Sequence, residues 1–258
     1  MNRFSLIGAG YVGLNLTASL QKKGYVLQHI FQKAKGGHFA SRWTSDLAEL
    51  VRSADFVLIA VQESRIKAVA QAVAAQAALR GKIFFHASNS LTSDELSPLR
   101  RAGARVASFS PLQTFVGFRE DEDLCVGISF LLEGDKAAVT RARRIAADLQ
   151  ARVLLIPAGD KMYLHMAAIA AASYFIAGMK FAEGRLRQTA SRPGLEILFP
   201  LVEQVLRNVK KIGWRDSLSG PLKRGETGLL AKHESLLAGQ EKKIHHLLLK
   251  YLKENPET

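Results

Sequence analysis

Lys161 and His165 stand four residues apart in "DKMYLHMAAIAAASYF". On a helix that spacing stacks both side chains on one face. A lysine and a histidine held together are groups suited to giving or taking a proton. Each also has a plainer reading: Lys161 as a surface lysine at a helix start, His165 as a hydrogen-bonded histidine buried at a domain junction. A second polar cluster, Ser88, Asn89, Ser90 and Thr92, follows the apolar run "KIFFHAS". Ser88 is expected to face a site and to bind a carbonyl or carboxylate. The later residues are expected to cap the helix "SDELSPLRRA", with Thr92 or Ser93 as N-cap and Glu95 nearby. His86, inside the run, reads as a packed core histidine.

The third feature is "FSLIGAGYVG", Phe4 to Gly13, where Gly8, Gly10 and Gly13 have the GxGxxG spacing behind an apolar run. Alone that spacing is weak, but here a strand precedes it, a helical stretch from Tyr11 to Lys23 follows, and "YVLQHIF" supplies the next strand. In such a βαβ unit Gly8 permits the tight turn, Gly10 admits a pyrophosphate to the backbone, and Gly13 lets helix and strand pack closely. Backbone N–H groups of the turn, those of Tyr11 and Val12 included, then bind the anion. The end of the second strand reads "FQKAKGG", with no acidic residue to bind a ribose hydroxyl. Gln32, Lys33 and Lys35 offer donors and positive charge instead, so NADP is favoured over NAD, the alternative being that these lysines are an ordinary solvated loop.

Those groups need elements to hold them. Seven short runs read as strands: "RFSLIG", "YVLQHIF", "DFVLIAV", "KIFFHAS", "RVASFS", "ISFLLEG" and "RVLLIP". Helix-patterned segments lie between them, so residues 1–157 are expected to form a doubly wound, mostly parallel α/β sheet of Rossmann type. Ligands of such sheets lie beyond the carboxyl ends of the strands, which nominates Val61, Gln62, Ala87 and Ser88 as cofactor neighbours. After Pro157 the β-branched runs give way to long helical stretches, and residues 158–258 are expected to form an all-helical domain for substrate binding and dimerisation. Within it, Met166 to Met179 carries no charge, is too short for a bilayer, and reads as a buried helix.

Composition narrows the classes further. The 258 residues are 48% hydrophobic, as in a globular protein able to build a sizeable core. The one cysteine, Cys125, has no partner for a disulfide or a thiolate metal site, so a reducing, cytoplasmic setting and no metal are expected. Nothing at the N-terminus reads as a signal peptide, and no membrane partner is expected. The net charge of +13 attracts anions. The basic residues are nevertheless dispersed along helices, without the spacings of nucleic-acid-binding motifs, so nucleic acid is not an expected partner.

Taken together, "LIGAGYVG", "FHASNSLTSDELSPLRRAGARVASFSPLQTF", "KMYLHMAAIAAASYFIAGM" and "SLSGPLKRGETGLLAKHESLL" resemble a Rossmann-like NADP oxidoreductase family. Its C-terminal half is a helical domain of unknown function, and it is related to pyrroline-5-carboxylate reductase, ketopantoate reductase and the 3-hydroxyacid dehydrogenases. The resemblance covers nearly the whole chain. It implies a Rossmann fold, NADP, a small-molecule substrate and a homodimer formed through the helical domain. In the 3-hydroxyacid dehydrogenases a lysine near the start of the corresponding interdomain helix transfers a proton, and an asparagine one turn later orients substrate; Lys161 and His165 resemble that placement. The chain departs from the family where Ser88-Asn89 replaces Ser-Gly and where Ser110 replaces a histidine before Pro111. In "SGPLKRGE" a Gly220-Pro221 turn is expected, with Lys223 and Arg224 either contacting an anion or serving an interface. The expected activity is hydride transfer to or from a small carbonyl, imine or hydroxy acid, with Lys161, His165 and Ser88 as the reacting-site groups. The alternative from another class is a non-catalytic NADP-binding sensor or scaffold.

Overall fold

The computed structural model describes residues 2–32 and 37–254. All seven expected strands form: β1 (Arg3–Ile7), β2 (Val26–Phe31), β3 (Phe56–Ile59), β4 (Ile83–His86), β5 (Arg105–Leu112), β6 (Ser129–Gly134) and β7 (Arg152–Leu155). They make one sheet in the order β2-β1-β3-β4-β5-β6-β7. The pairs from β2 across to β5 are parallel, β5 pairs antiparallel with β6, and β6 pairs parallel with β7. The chain reverses direction in the sheet once, at β6, which gives the mostly parallel sheet expected.

The alternation of side chains along each strand divides the core in two. On one face a row of phenylalanines runs across neighbouring strands: Phe4, Phe56, Phe85, Phe109 and Phe130, with successive ring centroids 5.6, 5.7, 5.7 and 4.1 Å apart. Helices α1 (Tyr11–Lys22) and α5 (Lys136–Asp148) bring apolar residues to that cluster, among them Leu16, Leu20, Ala142 and Ile145. The opposite face carries Ile7, Val57, Ile59, Phe84 and Val106 against α2 (Leu47–Ser53), α3 (Glu63–Gln76) and α4 (Ser97–Arg101). Aromatic pairs at these distances add roughly 0.5–1.5 kcal/mol each beyond their burial. Cys125 is sealed into the first cluster, and burial pushes its thiol up to about 11, which makes it an inert core residue.

By its contacts the chain divides into two compact units, Met1–Ala172 and Ser173–Thr258. The first contains the sheet and also α6 (Lys161–Ile169), which is continued by a π-helical stretch, Ala170–Tyr174. The second consists of α7 (Phe175–Leu186), α8 (Phe199–Ser217), α9 (Gly220–Arg224), α10 (Thr227–Ser235) and α11 (Gly239–Glu254). Gly220 and Pro221 open α9 instead of forming a free turn, since proline suits a first helical turn. Arg224 of that helix pairs with Glu226.

The expectation of a buried helix over Met166–Met179 is not met. Tyr174, Phe175 and Ile176 are 60, 50 and 65% exposed, and among the described residues beyond Lys161 no side chain is buried. By length and apolarity alone the helical run Ala158–Leu186 is sufficient to cross a membrane.

Candidate functional site

The glycine turn is built as its spacing requires. Gly8, at the end of β1, has φ +99°, and a Cβ there would come 2.5 Å from the carbonyl oxygen of Ala60. A Cβ on Gly13 would collide with the Gly8 carbonyl. Gly10 differs: it is the N-cap of α1, its position opens on free space, and no acidic residue stands in the helix's first turn. First-turn N–H groups have no partners within their own helix, and together with the helix dipole they form an anion site. Beside them lies a pocket of about 250 Å³ lined by Gly8, Gly10, Gln32, Val61, Gln62 and Arg65, with Ala9 and apolar residues completing the wall. The cradle fits a dinucleotide's pyrophosphate, because at Gly10, which lines the pocket together with Gly8, the space that a Cβ would fill is left open.

The pocket therefore unites five of the residues nominated from sequence: Gly8, Gly10, Gln32, Val61 and Gln62. Tyr11, Val12 and Gly13 form the first turn of α1 beside it, with the Tyr11 side chain 57% exposed. Ala87 lies one strand further along, extending the β4 pairing by donating its N–H to the Ile59 carbonyl at 3.1 Å. Lys33 and Lys35 lie outside the described residues. Arg65 was not anticipated; a cation on the first turn of α3, directly after the β3 end, is the signal that marks it.

The second polar group lies at the ends of β3 and β4. The Ser88 hydroxyl donates to the Glu63 carboxylate and accepts from the N–H groups of Ser90 and Leu91 at 3.2 and 3.0 Å. Partial burial works to raise the Glu63 carboxyl, but hydrogen bonds from Ser88 and Ser90 and the charge of His165 outweigh it and hold the group below its ordinary value. Glu63 is the residue that sequence reasoning missed most plainly, because a lone acid at a helix start reads as a partner for the helix dipole. His165 is half-buried on α6, one turn beyond Lys161.

Lys161 is neither a surface lysine nor an open cleft residue. It is 1% exposed, and its ammonium donates to the Ser88 carbonyl and the Ser110 hydroxyl, each at 2.9 Å, and to the Ser108 hydroxyl. Three N–H donors meet three protein acceptors, so none is left over for a substrate in this arrangement. Burial pushes the ammonium down to about 8, against the raising influence of Glu133 and Glu63. Ser108 and Ser110 alternate onto one face of β5, and Ser110 also donates to the Ser88 carbonyl. Ser110, standing where a histidine was expected from the family pattern, is thus absorbed into the lysine's hydrogen-bond set.

His86 is wholly buried, as expected. One ring nitrogen meets the Thr92 carbonyl at 3.1 Å and the other accepts from the Ser88 N–H at 3.2 Å. Desolvation, with the Lys161 charge adding to it, pushes the imidazole down to about 4. The capping expectation for the following helix is corrected. Thr92 makes no side-chain cap, and the segment opens as a 3-10 turn, Ser93–Leu96. The N–H and hydroxyl of Ser93 instead reach the Glu133 carboxylate at 2.6 and 2.8 Å. A buried carboxylate is the stronger acceptor and draws Ser93 away from capping.

Comparison with solved structures supports the same fold. A protein of Bacteroides fragilis described as an NADP oxidoreductase is 20% identical, with a TM-score of 0.80 and 98% of each chain covered. A reductive aminase from Aspergillus terreus, solved with NADPH and ethyl levulinate, is 13% identical, with a TM-score of 0.69 over 99% of this chain and 95% of that one. The Plasmodium falciparum pyrroline carboxylate reductase, solved with NADP bound, is 13% identical, with a TM-score of 0.65 over 97% of each chain. At these identities the likeness is one of fold. None of the curated proteins matches the sequence. Residues 2–111 match the model of a Rossmann-like domain, and residues 128–252 match that of a domain of unknown function, DUF2520.

Proposed function

We propose that the protein is an NADP(H)-dependent oxidoreductase acting on a small carbonyl, imine or hydroxy acid. The observation that carries the reading is the glycine cradle: Gly8 and Gly13 have no room for a side chain, while Gly10 opens onto the N-terminus of α1. Gln32 and Arg65 line the same pocket without a carboxylate at the end of β2, which favours the phosphorylated coenzyme. NADPH, when bound, would supply a hydride. Gly8 to Gly13 would hold its pyrophosphate through backbone N–H groups, Arg65 would add positive charge, and Val61 and Gln62 would lie alongside. Ser88 and His165, at the next strand end and on α6, are the groups assigned to the reacting end: Ser88 to orient, His165 to move a proton. Lys161 acts behind them as a positioning residue, fixing the main chain at Ser88. The names of the Aspergillus and Plasmodium proteins, a reductive aminase and a pyrroline carboxylate reductase, favour a carbon–nitrogen or carbonyl substrate.

Isothermal calorimetry with NADPH, NADP+ and NADH tests the coenzyme, and NADPH oxidation across a carbonyl and imine panel tests the reaction. Tight NADPH binding with weaker NADH binding is expected, and no heat from any of them would remove the reading. Binding without turnover across the panel would favour the sensor reading over the enzyme.

We also propose that a second copy of the chain covers the helical unit. A bilayer does not suit the run Ala158–Leu186, because Lys161 near its start is hydrogen-bonded into the sheet. The exposed apolar residues also continue on α8 and α11, which carry charged faces.

A further inference from the structure

We infer that Asn15 is a positioning residue for the coenzyme site: its side chain ties the segment leaving β5 to the first turn of α1, so that coenzyme held at the turn and the placing of that segment depend on each other. The inference rests on the oxidoreductase reading and deepens it by naming what closes the site on its α1 side.

The tie is made of three hydrogen bonds. Asn15 lies two residues beyond Gly13 on α1 and is 2% exposed. Its Nδ2 donates to the Tyr11 carbonyl at 2.7 Å and to the Gly117 carbonyl at 2.9 Å, and its Oδ1 accepts from the Arg119 N–H at 3.0 Å. Both amide hydrogens are thereby spent on main-chain carbonyls. The bonds join positions 102 and 104 residues apart in sequence, so they serve the placing of one segment against another rather than a local turn.

The course of the segment gives the tie its purpose. At one end the Pro111 carbonyl accepts from the Asn89 side chain at 3.0 Å, and at the other Asp123 pairs with Lys23, just after α1, at 3.4 Å. In the sheet β3 and β4 stand between β1 and β5, whereas α1 packs over β1 and β2. Three strand spacings come to about 14 Å, and the five steps over residues 112–117 reach about 17 Å when extended. The segment therefore has little slack as it passes the carboxyl ends of β4 and β3, where sheets of this kind take their ligands. Past Gly117 the Phe118 ring meets those of His38 and Phe39, with centroids 4.3 and 5.9 Å away, so the same strap reaches the chain that follows β2. Its own side-chain bonds, Gln113 to the Leu124 carbonyl and Arg119 to Glu122, stay within it.

Tyr11 is the pivot. Its N–H belongs to the turn assigned to the pyrophosphate, and its carbonyl is bonded to Asn15. Coenzyme that fixes the turn fixes Asn15, and a strap held through Asn15 steadies the turn. By linkage the two effects are equal in size.

Hydrogen exchange read by mass spectrometry on the full-length protein, with and without saturating NADPH, tests the tie. In the wild type NADPH is expected to slow exchange over residues 113–119 by about fivefold or more, the lower end of ordinary coupling between sites. In Asn15→Leu the amides of the glycine turn should still slow when NADPH is added, those of the strap should not, and the calorimetric NADPH affinity should fall by the same factor. A residue that merely holds a loop in place predicts faster strap exchange in Asn15→Leu but the same slowing by NADPH as in wild type, and that result overturns the inference. Asn15→Asp keeps the acceptor for Arg119 and removes both donors; it must repeat the leucine result, and it decides the matter where the leucine variant does not fold. Heat from NADPH without strap slowing in the wild type removes this inference alone, whereas no heat removes the oxidoreductase reading with it.

Discussion

The Lys161 ammonium donates to the main-chain carbonyl of Ser88 at 2.9 Å, across 73 positions of sequence. A carbonyl at the end of a buried strand has lost water and needs partners, and here it has two, Lys161 and the Ser110 hydroxyl. The lysine accordingly works as a fastener between α6 and the β4 loop, and its own burial makes the fastening asymmetric. Removing it leaves polar groups behind, whereas keeping it confines a charge.

Lys161→Ala is expected to lower stability by about 2–4 kcal/mol, because a buried side chain is deleted and Ser88, Ser108 and Ser110 each lose a donor. NADPH affinity is expected to change less than roughly threefold, under about 0.7 kcal/mol, since the glycine cradle lies on other elements. Urea unfolding followed by calorimetry checks both. A wild-type unfolding midpoint in Lys161→Ala would mean that the ammonium is not enclosed by these three acceptors.

His86 predicts an acid limb in stability. Its imidazole is held down at about 4, so as pH falls from 6.5 the unfolded chain takes up a proton that the folded chain refuses. Stability contributed by neutral His86 is therefore complete above about 6.5 and is lost progressively as pH drops toward 4, by on the order of 3 kcal/mol. Denaturant titrations between pH 7 and 4 should show this loss, with a shallower dependence in His86→Phe. That variant should also be less stable at pH 7, where the Ser88 N–H and Thr92 carbonyl lose their partner.

How much of this could be read in the chain follows from what each signal depends on. The strands were legible because a sheet covered on both faces demands apolar runs such as "DFVLIAV", whatever packs against them. The Gly8–Gly13 turn was legible because its constraints are local: a positive φ and a close carbonyl within the same βαβ unit. The face of α6 was also legible from spacing, but what that face meets was not. Ser108 and Ser110 lie some fifty positions upstream and announce nothing by themselves. Glu63 was invisible because its meaning comes from Ser88 and His165 on two other elements. The apolar helix Met166–Met179 misled because apolarity says that a surface will be covered, not that the same chain will cover it.

Gly10→Val should separate folding from binding. The position has a negative φ, and a Cβ there meets no protein atom within 4 Å, so the unfolding midpoint should move little. The isopropyl group would occupy the approach to the α1 N-terminus, and NADPH affinity is expected to fall by about 30-fold or more, roughly 2 kcal/mol. Gly13→Ala is the contrasting variant: its methyl collides with the Gly8 carbonyl, so it should lose stability as well as binding. Equal NADPH affinity in Gly10→Val and wild type, measured by calorimetry, would exclude this turn as the pyrophosphate site.

The helical unit supplies the last prediction. Leu201, Val205, Val209 and Ile212 of α8 recur at helical intervals and are 62, 48, 38 and 49% exposed. On α11 Ile244, Leu248 and Tyr251 repeat the pattern at 47, 56 and 67%. Stripes of this kind are the buried faces of packed helices, and leaving them in water forfeits about 25 cal/mol for each Å² uncovered. A second copy that presents the same stripes can cover them across a twofold axis, where each patch serves both partners. Sedimentation velocity at micromolar concentration is therefore expected to give a dimer, and Val205→Glu with Val209→Glu, which sets charges in the middle of the α8 stripe, is expected to shift it toward monomer or aggregate. A wild-type monomer that remains folded, or a protein that floats with lipid vesicles, would show that something other than this chain covers the face.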